Sequence, residues 1–153
     1  MQLKQVMTTD IATCRAETNL AVVAKLMWDR DCGFIPVVDP QGKVAGVITD
    51  RDICIASATR RVAPEQITAA EAMRRQPIHA CTTDDTVEKA LAAMKEFQVR
   101  RLPVLAGDGT LTGVVSMNDI VLASTRKDGP APAEITKTLV AICAHGPART
   151  VAA

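Results

Sequence analysis

The sequence predicts an α+β protein of α/β-like character, in which one β-α-β-β-α unit is written twice and followed by a C-terminal helix. Three observations predict it. First, residues recur 67 positions apart: Cys14 and Cys81, Met27 and Met94, Pro36 and Pro103, Gly42 and Gly109, Gly46 and Gly113, Asp52 and Asp119. Second, each copy carries an apolar stripe of helical period, then two short β-branched runs separated by a turn. Third, both copies close on the same pattern, Gly46-Val47-Ile48-Thr49-Asp50-Arg51-Asp52-Ile53 and Gly113-Val114-Val115-Ser116-Met117-Asn118-Asp119-Ile120, in which a strand runs straight into a helix.

In the first copy, Ile11 to Cys14 is a short extended lead-in, and Thr18 offers an N-cap to a helix from about Asn19 to Arg30. Leu20, Val23, Ala24 and Met27 fall on one face of it. Phe34 to Val38 reads as a strand, Asp39-Pro40-Gln41-Gly42 as a turn, and Lys43 to Thr49 as a second strand. So tight a turn makes the two strands antiparallel neighbours. A helix from about Asp50 to Ala58 completes the unit.

The second copy opens its helix with Asp85-Thr86-Val87-Glu88 and buries Val87, Ala90, Leu91 and Met94. Leu102 to Leu105 is a strand, Ala106-Gly107-Asp108-Gly109 a turn and Leu111 to Ser116 the returning strand, before a helix to about Thr125. Pro36 and Pro103 have no N–H to donate and belong at strand starts or edges. Val6-Met7 corresponds to Ala72-Met73 with a one-residue slip.

These readings divide the chain into a first repeat at 5–58, a linker at 59–70, a second repeat at 71–125, and a hinge with a C-terminal amphipathic helix at 126–153. The hinge is Lys127-Asp128-Gly129-Pro130-Ala131-Pro132. The helix, Glu134 to Ala144, aligns Ile135, Leu139 and Ile142, and Gly146-Pro147 stops it. It reads as a clamp on the core in preference to a dimer contact.

At 153 residues, 48% hydrophobic and 23% charged, the chain can bury a core. Eighteen Lys+Arg against seventeen Asp+Glu give a net charge of +1, which argues against nucleic acid as the partner. Aromatics are 2%, so base-stacking platforms are scarce. The bases that stand in pairs, Arg60-Arg61, Arg74-Arg75 and Arg100-Arg101, suit a small anion or a solvated surface. The absence of a signal-peptide core or an apolar run of membrane-spanning length predicts a cytoplasmic protein that does not enter a membrane. Five cysteines with no C-x-x-C spacing predict neither a disulfide framework nor zinc, and His79 and His145 add no ligand spacing.

The candidate chemistry sits where each second strand meets its helix. Thr49 or Ser116 followed three residues on by Asp52 or Asp119 satisfies the N–H groups of a helix start, and in one reading does nothing more. In the other, the helix N-terminus attracts phosphate while the carboxylate accepts from ribose hydroxyls. No nucleophile–base pair, metal cluster or phosphate loop appears, so the chain is not read as an enzyme.

These residues resemble the tandem cystathionine β-synthase (CBS) domain pair, the Bateman module. The Gly-x-x-Thr/Ser-x-x-Asp segments, the Pro36-Val37 and Pro103-Val104 strands, and the Met7 and Met73 lead-ins carry the likeness over residues 5–124. The resemblance implies two repeats packed sheet to sheet about a pseudo-twofold axis, two clefts for AMP, ADP, ATP or another adenosyl compound, and a homodimer of four repeats. It implies that Asp52 and Asp119 hold ribose hydroxyls and that Thr49 and Ser116 lie near phosphate. Ile11 and Ile78 would cover the base, and Phe34, Ile35, Arg101 and Leu102 would wall the base or reach the phosphates. Arg51 adds a phosphate partner to the first cleft that Asn118 does not supply to the second. The expected function is a regulatory sensor of adenine nucleotides with no obligatory cofactor and with a regulated protein partner. The alternative is a non-catalytic interaction module with vestigial clefts.

Overall fold

The structure, a computed structural model, describes residues 1–73 and 78–144. Repeat 1 contains α1 (Leu20–Asp29), the antiparallel pair β1 (Phe34–Val38) and β2 (Val44–Thr49), and α2 (Asp50–Arg60). The cap of α1 is Asn19, one residue after the expected Thr18: its side-chain oxygen accepts from the Val22 N–H at 3.0 Å. Thr18 is occupied in the preceding turn, where its hydroxyl accepts from the Arg15 N–H at 3.1 Å. The β1–β2 turn needs a left-handed residue, and Gly42 supplies it at φ 79°, as Gly109 does at φ 84° in the second hairpin.

Repeat 2 follows with α3 (Ala69–Ala72), β3 (Cys81–Thr82), α4 (Val87–Phe97), β4 (Arg101–Leu105), β5 (Leu111–Ser116) and α5 (Met117–Ala123). Its sheet has the order β3-β4-β5, with β3 parallel to β4. In repeat 1 the equivalent of β3 is a single parallel bridge, Cys14 to Val37. Both hairpins share one register: Phe34 faces Thr49 as Arg101 faces Ser116, and Pro36 faces Val47 as Pro103 faces Val114. Pro103 therefore lies in the middle of a central strand, away from the start or edge expected for it. The fold tolerates it there because pairing with β3 begins only at Val104. The helices also depart from their expected ends, α2 continuing to Arg60 and α5 stopping at Ala123.

Two hydrophobic cores result, and neither is built from one repeat alone. Leu3, in a 3-10 turn at Leu3–Gln5, is 0% exposed within the core of Val87, Leu91, Met94, Leu102 and Ile120. Ile67 and Ala69 complete the other core beside Leu20, Val23, Ile35 and Ile48. Backbone bonds fix this exchange with the repeat's own symmetry. The Leu3 N–H donates to the Asp85 carbonyl and the Val87 N–H to Met1, while Ala69 donates to Thr18 and Leu20 to Ile67. Residues 67–70, expected within a linker, are thus part of the second lead-in and are packed on repeat 1.

The lead-ins also place the two sheets face to face. Thr8 and Val114 exchange N–H to carbonyl bonds at 2.9 Å in both directions. Gly113 has no Cβ at this crossing, and one added there would stand 2.7 Å from the Thr8 carbonyl oxygen. At the far end the hairpin tips touch, the Leu111 N–H donating to the Gly42 carbonyl at 3.0 Å.

The C-terminal helix α6 (Pro132–Cys143) packs on α4 and α5. Ile135 and Ile142 join the repeat 2 core, as expected of a clamp. Besides Ile135 its buried position is Thr138, 3% exposed, in place of the expected Leu139, which is exposed. Thr138 is tolerated because its hydroxyl donates back to the Glu134 carbonyl at 2.9 Å. Gly146-Pro147 lies outside the described residues. Among the described residues no helix is long and apolar enough to cross a membrane.

Cys14 and Cys81 sit in different cores, and all five thiols are free. Burial pushes both up to about 11, with Glu17 adding to the shift at Cys14 and Asp85 at Cys81. The reactive thiolate is therefore rare at either position near neutrality. With iodoacetamide at about pH 8, Cys54 and Cys143, both exposed, are expected to alkylate in the native protein. Cys14 and Cys81 should alkylate only in denaturant, as read by peptide mass; native labelling of either would contradict its placement. Leu3→Ala is expected to destabilise the fold by about 2–5 kcal/mol despite its place near the N-terminus. Urea unfolding checks this, and a loss below about 0.5 kcal/mol would show that the lead-in is not part of the core.

Candidate functional site

At the end of each second strand the hydroxyl and the carboxylate close a reciprocal helix cap. In repeat 1 the Thr49 N–H and hydroxyl donate to Asp52 Oδ2 at 3.0 and 2.6 Å, and the Asp52 N–H donates to Thr49 Oγ1 at 3.2 Å. In repeat 2 the Ser116 N–H and hydroxyl donate to Asp119 Oδ2 at 2.8 and 2.6 Å, and the Asp119 N–H returns to Ser116 Oγ at 3.2 Å. The capping role of the motif is fully realised in both copies.

The second cap also lines a cleft. Where the two sheets face each other, a cavity of about 420 Å³ is walled by Ile11, Phe34 and Pro36 of repeat 1 and by Arg101, Val114, Ser116 and Asp119 of repeat 2. Strand geometry explains the membership: alternate residues point to one face. Phe34 and Pro36 therefore share the cleft face of β1, and the register sets Arg101 directly opposite Ser116. By the same alternation Ile35 and Leu102 face the other way. They are 0% and 1% exposed inside the two cores, so the structure removes them from the cleft walls that the resemblance assigned to them.

Asp119 divides its two oxygens. Oδ2 serves the cap, whereas among the described residues Oδ1 receives only a long contact of 3.4 Å from the Thr8 hydroxyl. One carboxylate can thus close a helix and still present an acceptor to the cleft. Thr8, Asp10, Ala12, Arg30 and Asn118 also line the cavity, and motif reading singled out none of them for a site. Asp10 and Ala12 flank Ile11, so the extended lead-in was the available signal for both. Arg30, at the end of α1, has no such signal; it reaches the cleft mouth and pairs with Asp10 at 3.0 Å.

The remaining candidates, Thr49, Arg51, Asp52 and Ile78, correspond by the internal symmetry to the other side of the module. Thr49 and Asp52 are half-buried in their cap and Arg51 is exposed. Ile78 directly follows residues 74–77, which lie outside the described residues together with the Arg74-Arg75 pair. Of the other arginine pairs, Arg60 is structural: its guanidinium donates to the side chain and to the backbone carbonyl of Glu71, both at 2.9 Å. His79 stacks on Phe97, their ring centroids 3.4 Å apart.

Comparison with known proteins gives the same architecture. The profile of the CBS domain matches residues 3–59 and 69–126. The uncharacterized protein YlbB of Bacillus subtilis (strain 168) is 32% identical over 140 residues, covering 89% of this chain and 92% of its own length. Inosine-5'-monophosphate dehydrogenase of Mycobacterium leprae is 33% identical over 129 residues, which are 80% of this chain and 23% of the enzyme. This chain thus spans about a quarter of that relative's length. The CBS domain pair of protein MJ0100, solved in complex with 5'-methylthioadenosine and S-adenosyl-L-methionine, superposes with a TM-score of 0.72 at 24% identity, covering 82% of this chain and 98% of that one. With two matched repeats and the face-to-face sheets that join them, the chain belongs to the CBS domain family as a tandem pair.

Proposed function

We propose that this chain is a regulatory module that senses an adenine nucleotide or a related adenosyl compound in the cleft of Ile11, Phe34, Arg101, Ser116 and Asp119. The observation that carries this reading is the convergence of five separately expected residues, from both repeats, on one cavity of about 420 Å³. That volume lies in the range of small-ligand sites. Ile11, Pro36 and Val114 offer the apolar walls a purine requires, Asp119 Oδ1 an acceptor for ribose hydroxyls, and Arg101 with Arg30 positive charge for phosphate. The adenosyl ligands of the MJ0100 pair support the ligand class. The chain's own role is to bind and to report occupancy, without catalysis, to a protein partner or across a homodimer in the cytoplasm. Coupling of that kind is typically about 1–3 kcal/mol.

One observation favours a second reading: each hydroxyl–carboxylate cap closes within the chain itself. A purely structural or interaction module would need no more than this.

A thermal-shift series with AMP, ADP, ATP, NAD, S-adenosylmethionine and 5'-methylthioadenosine separates the two. A ligand held at a hundred times its Kd stabilises the folded state by about 2.7 kcal/mol, which for a chain of this size raises Tm by roughly 5–10 °C. Asp119→Asn is expected to weaken the effective ligand about tenfold or more through the lost charged acceptor. Its cost to the unliganded fold should be about 1 kcal/mol. A melting point that no member of the series moves, with Asp119→Asn affecting stability alone, would leave the structural reading standing.

A further inference from the structure

The motif expected to meet phosphate has little left to offer one. The Ser116 hydroxyl gives its single proton to Asp119 Oδ2 at 2.6 Å, so toward the cleft it can only accept. At the start of α5 the Met117 N–H donates to the Arg100 carbonyl at 2.9 Å, and the Asp119 N–H to Ser116 Oγ at 3.2 Å. The donors and the positive dipole end that draw phosphate to a helix start are thus met within the chain, by a carbonyl, a hydroxyl and the Asp119 carboxylate.

The charges along the cleft wall divide by depth. Arg101 and Asp119 are half-buried, one of each sign. Arg30, Asp10 and Asp31 also line the cleft, and all three are exposed. Arg30 is paired with Asp10 at 3.0 Å, whereas Asp31 has no ion-pair partner among the described residues. Two arginines therefore face three aspartates, and among the described residues Arg101 is the lining cation that no ion pair has already claimed. One phosphate can be met by Arg101. Each further phosphate brings negative charge to a wall whose other unpaired charges are carboxylates.

The internal repeat shows what a wall built for more negative charge would carry. Asn118 lines this cleft from the first turn of α5, and its counterpart 67 residues earlier is Arg51. A neutral amide stands in this cleft where the other copy of the motif places a cation.

Resting on the reading of the cleft as an adenosyl site, we propose that it selects adenosyl compounds whose 5' substituent carries at most one phosphate and discriminates against di- and triphosphates. Arg101 meets the single phosphate, and an uncharged 5' substituent satisfies the same rule. Asp31 disfavours longer chains, and Asn118 offers them no compensating charge.

Titration calorimetry of the intact protein with 5'-methylthioadenosine, AMP, ADP and ATP, at fixed ionic strength and without divalent cations, tests this. Affinities are compared for the binding component that Asp119→Asn weakens, so that nucleotide held elsewhere on the module is not counted. ADP and ATP are expected to bind there about tenfold or more weakly than the tighter of AMP and 5'-methylthioadenosine. Asn118→Arg should close that gap for ATP by about fivefold or more, and Asp31→Asn by about twofold or more. Both positions are exposed, so neither change opens a core, and asparagine accepts the left-handed backbone of position 31, at φ 48°. ADP or ATP matching the tighter of the two reference compounds overturns the selection and leaves the adenosyl site standing. A gap that neither substitution moves overturns it too, since these charges would then not set it. If no binding component responds to Asp119→Asn, the adenosyl reading of the cleft falls, and the selection with it.

Discussion

The reciprocal burial of the two lead-ins is the constraint on which the rest of the structure depends. Leu3 is needed in the core of repeat 2, and Ile67 with Ala69 in the core of repeat 1. Each copy thus lacks part of its own interior. A unit of about sixty residues buries too little apolar surface to be comfortable alone, and exchanging segments lets two such units share the entropic cost of ordering. The same exchange draws residues 8–12 across the front of β5 through the Thr8–Val114 bridge. It therefore fixes the separation of the sheets and, with it, the width of the cleft.

From that constraint the cleft follows without any further device. Residues of β1 that face β5 must come from the alternate positions Phe34 and Pro36, because Ile35 and Val37 are committed to the repeat 1 core. Arg101 must face Ser116 because the hairpin register places it there. The acid of each cap is fixed by its reciprocal bonds, so the cleft's carboxylate is positioned by a helix start before any ligand is considered. Structural and binding readings of the motif are consequently not exclusive in this fold: the cap occupies one oxygen of Asp119 and leaves the other beside Thr8 at the cleft.

Much of this was legible in the sequence, for identifiable reasons. A repeat with constant spacing fixes element order and strand pairing, since each copy tests the reading of the other. It also brought Ser116 and Asp119 forward as candidates, to which the family resemblance added Ile11, Phe34 and Arg101. What it could not give was which repeat a lead-in packs against, because a one-residue slip between Val6-Met7 and Ala72-Met73 carries no direction. The placement of Ile35 and Leu102 was misjudged for a related reason. Adjacent residues on a strand point to opposite faces, and a motif read as a string does not say which face the core takes. Arg30 escaped because its approach to the cleft depends on how α1 ends, and the Asn19 cap escaped because Thr18 is an equally good cap by composition.

The differences between the repeats are as informative as their likeness. An exact repeat would have two equivalent clefts and two equivalent outer faces. In this chain α6 is appended only once, and it settles on the face where Gln98 can hold its carbonyls. At the corresponding place repeat 1 has Asp31 and Asp50, which would repel a helix laid in that direction. The two copies of the motif differ in the same economical way, with Arg101 against Phe34 at one register position and Arg51 against Asn118 at another. A ligand alters an equilibrium only through interactions that differ between states, whether or not the two halves of a module differ. The substitutions that break the repeat, more than those that preserve it, mark where its two halves differ in surface chemistry.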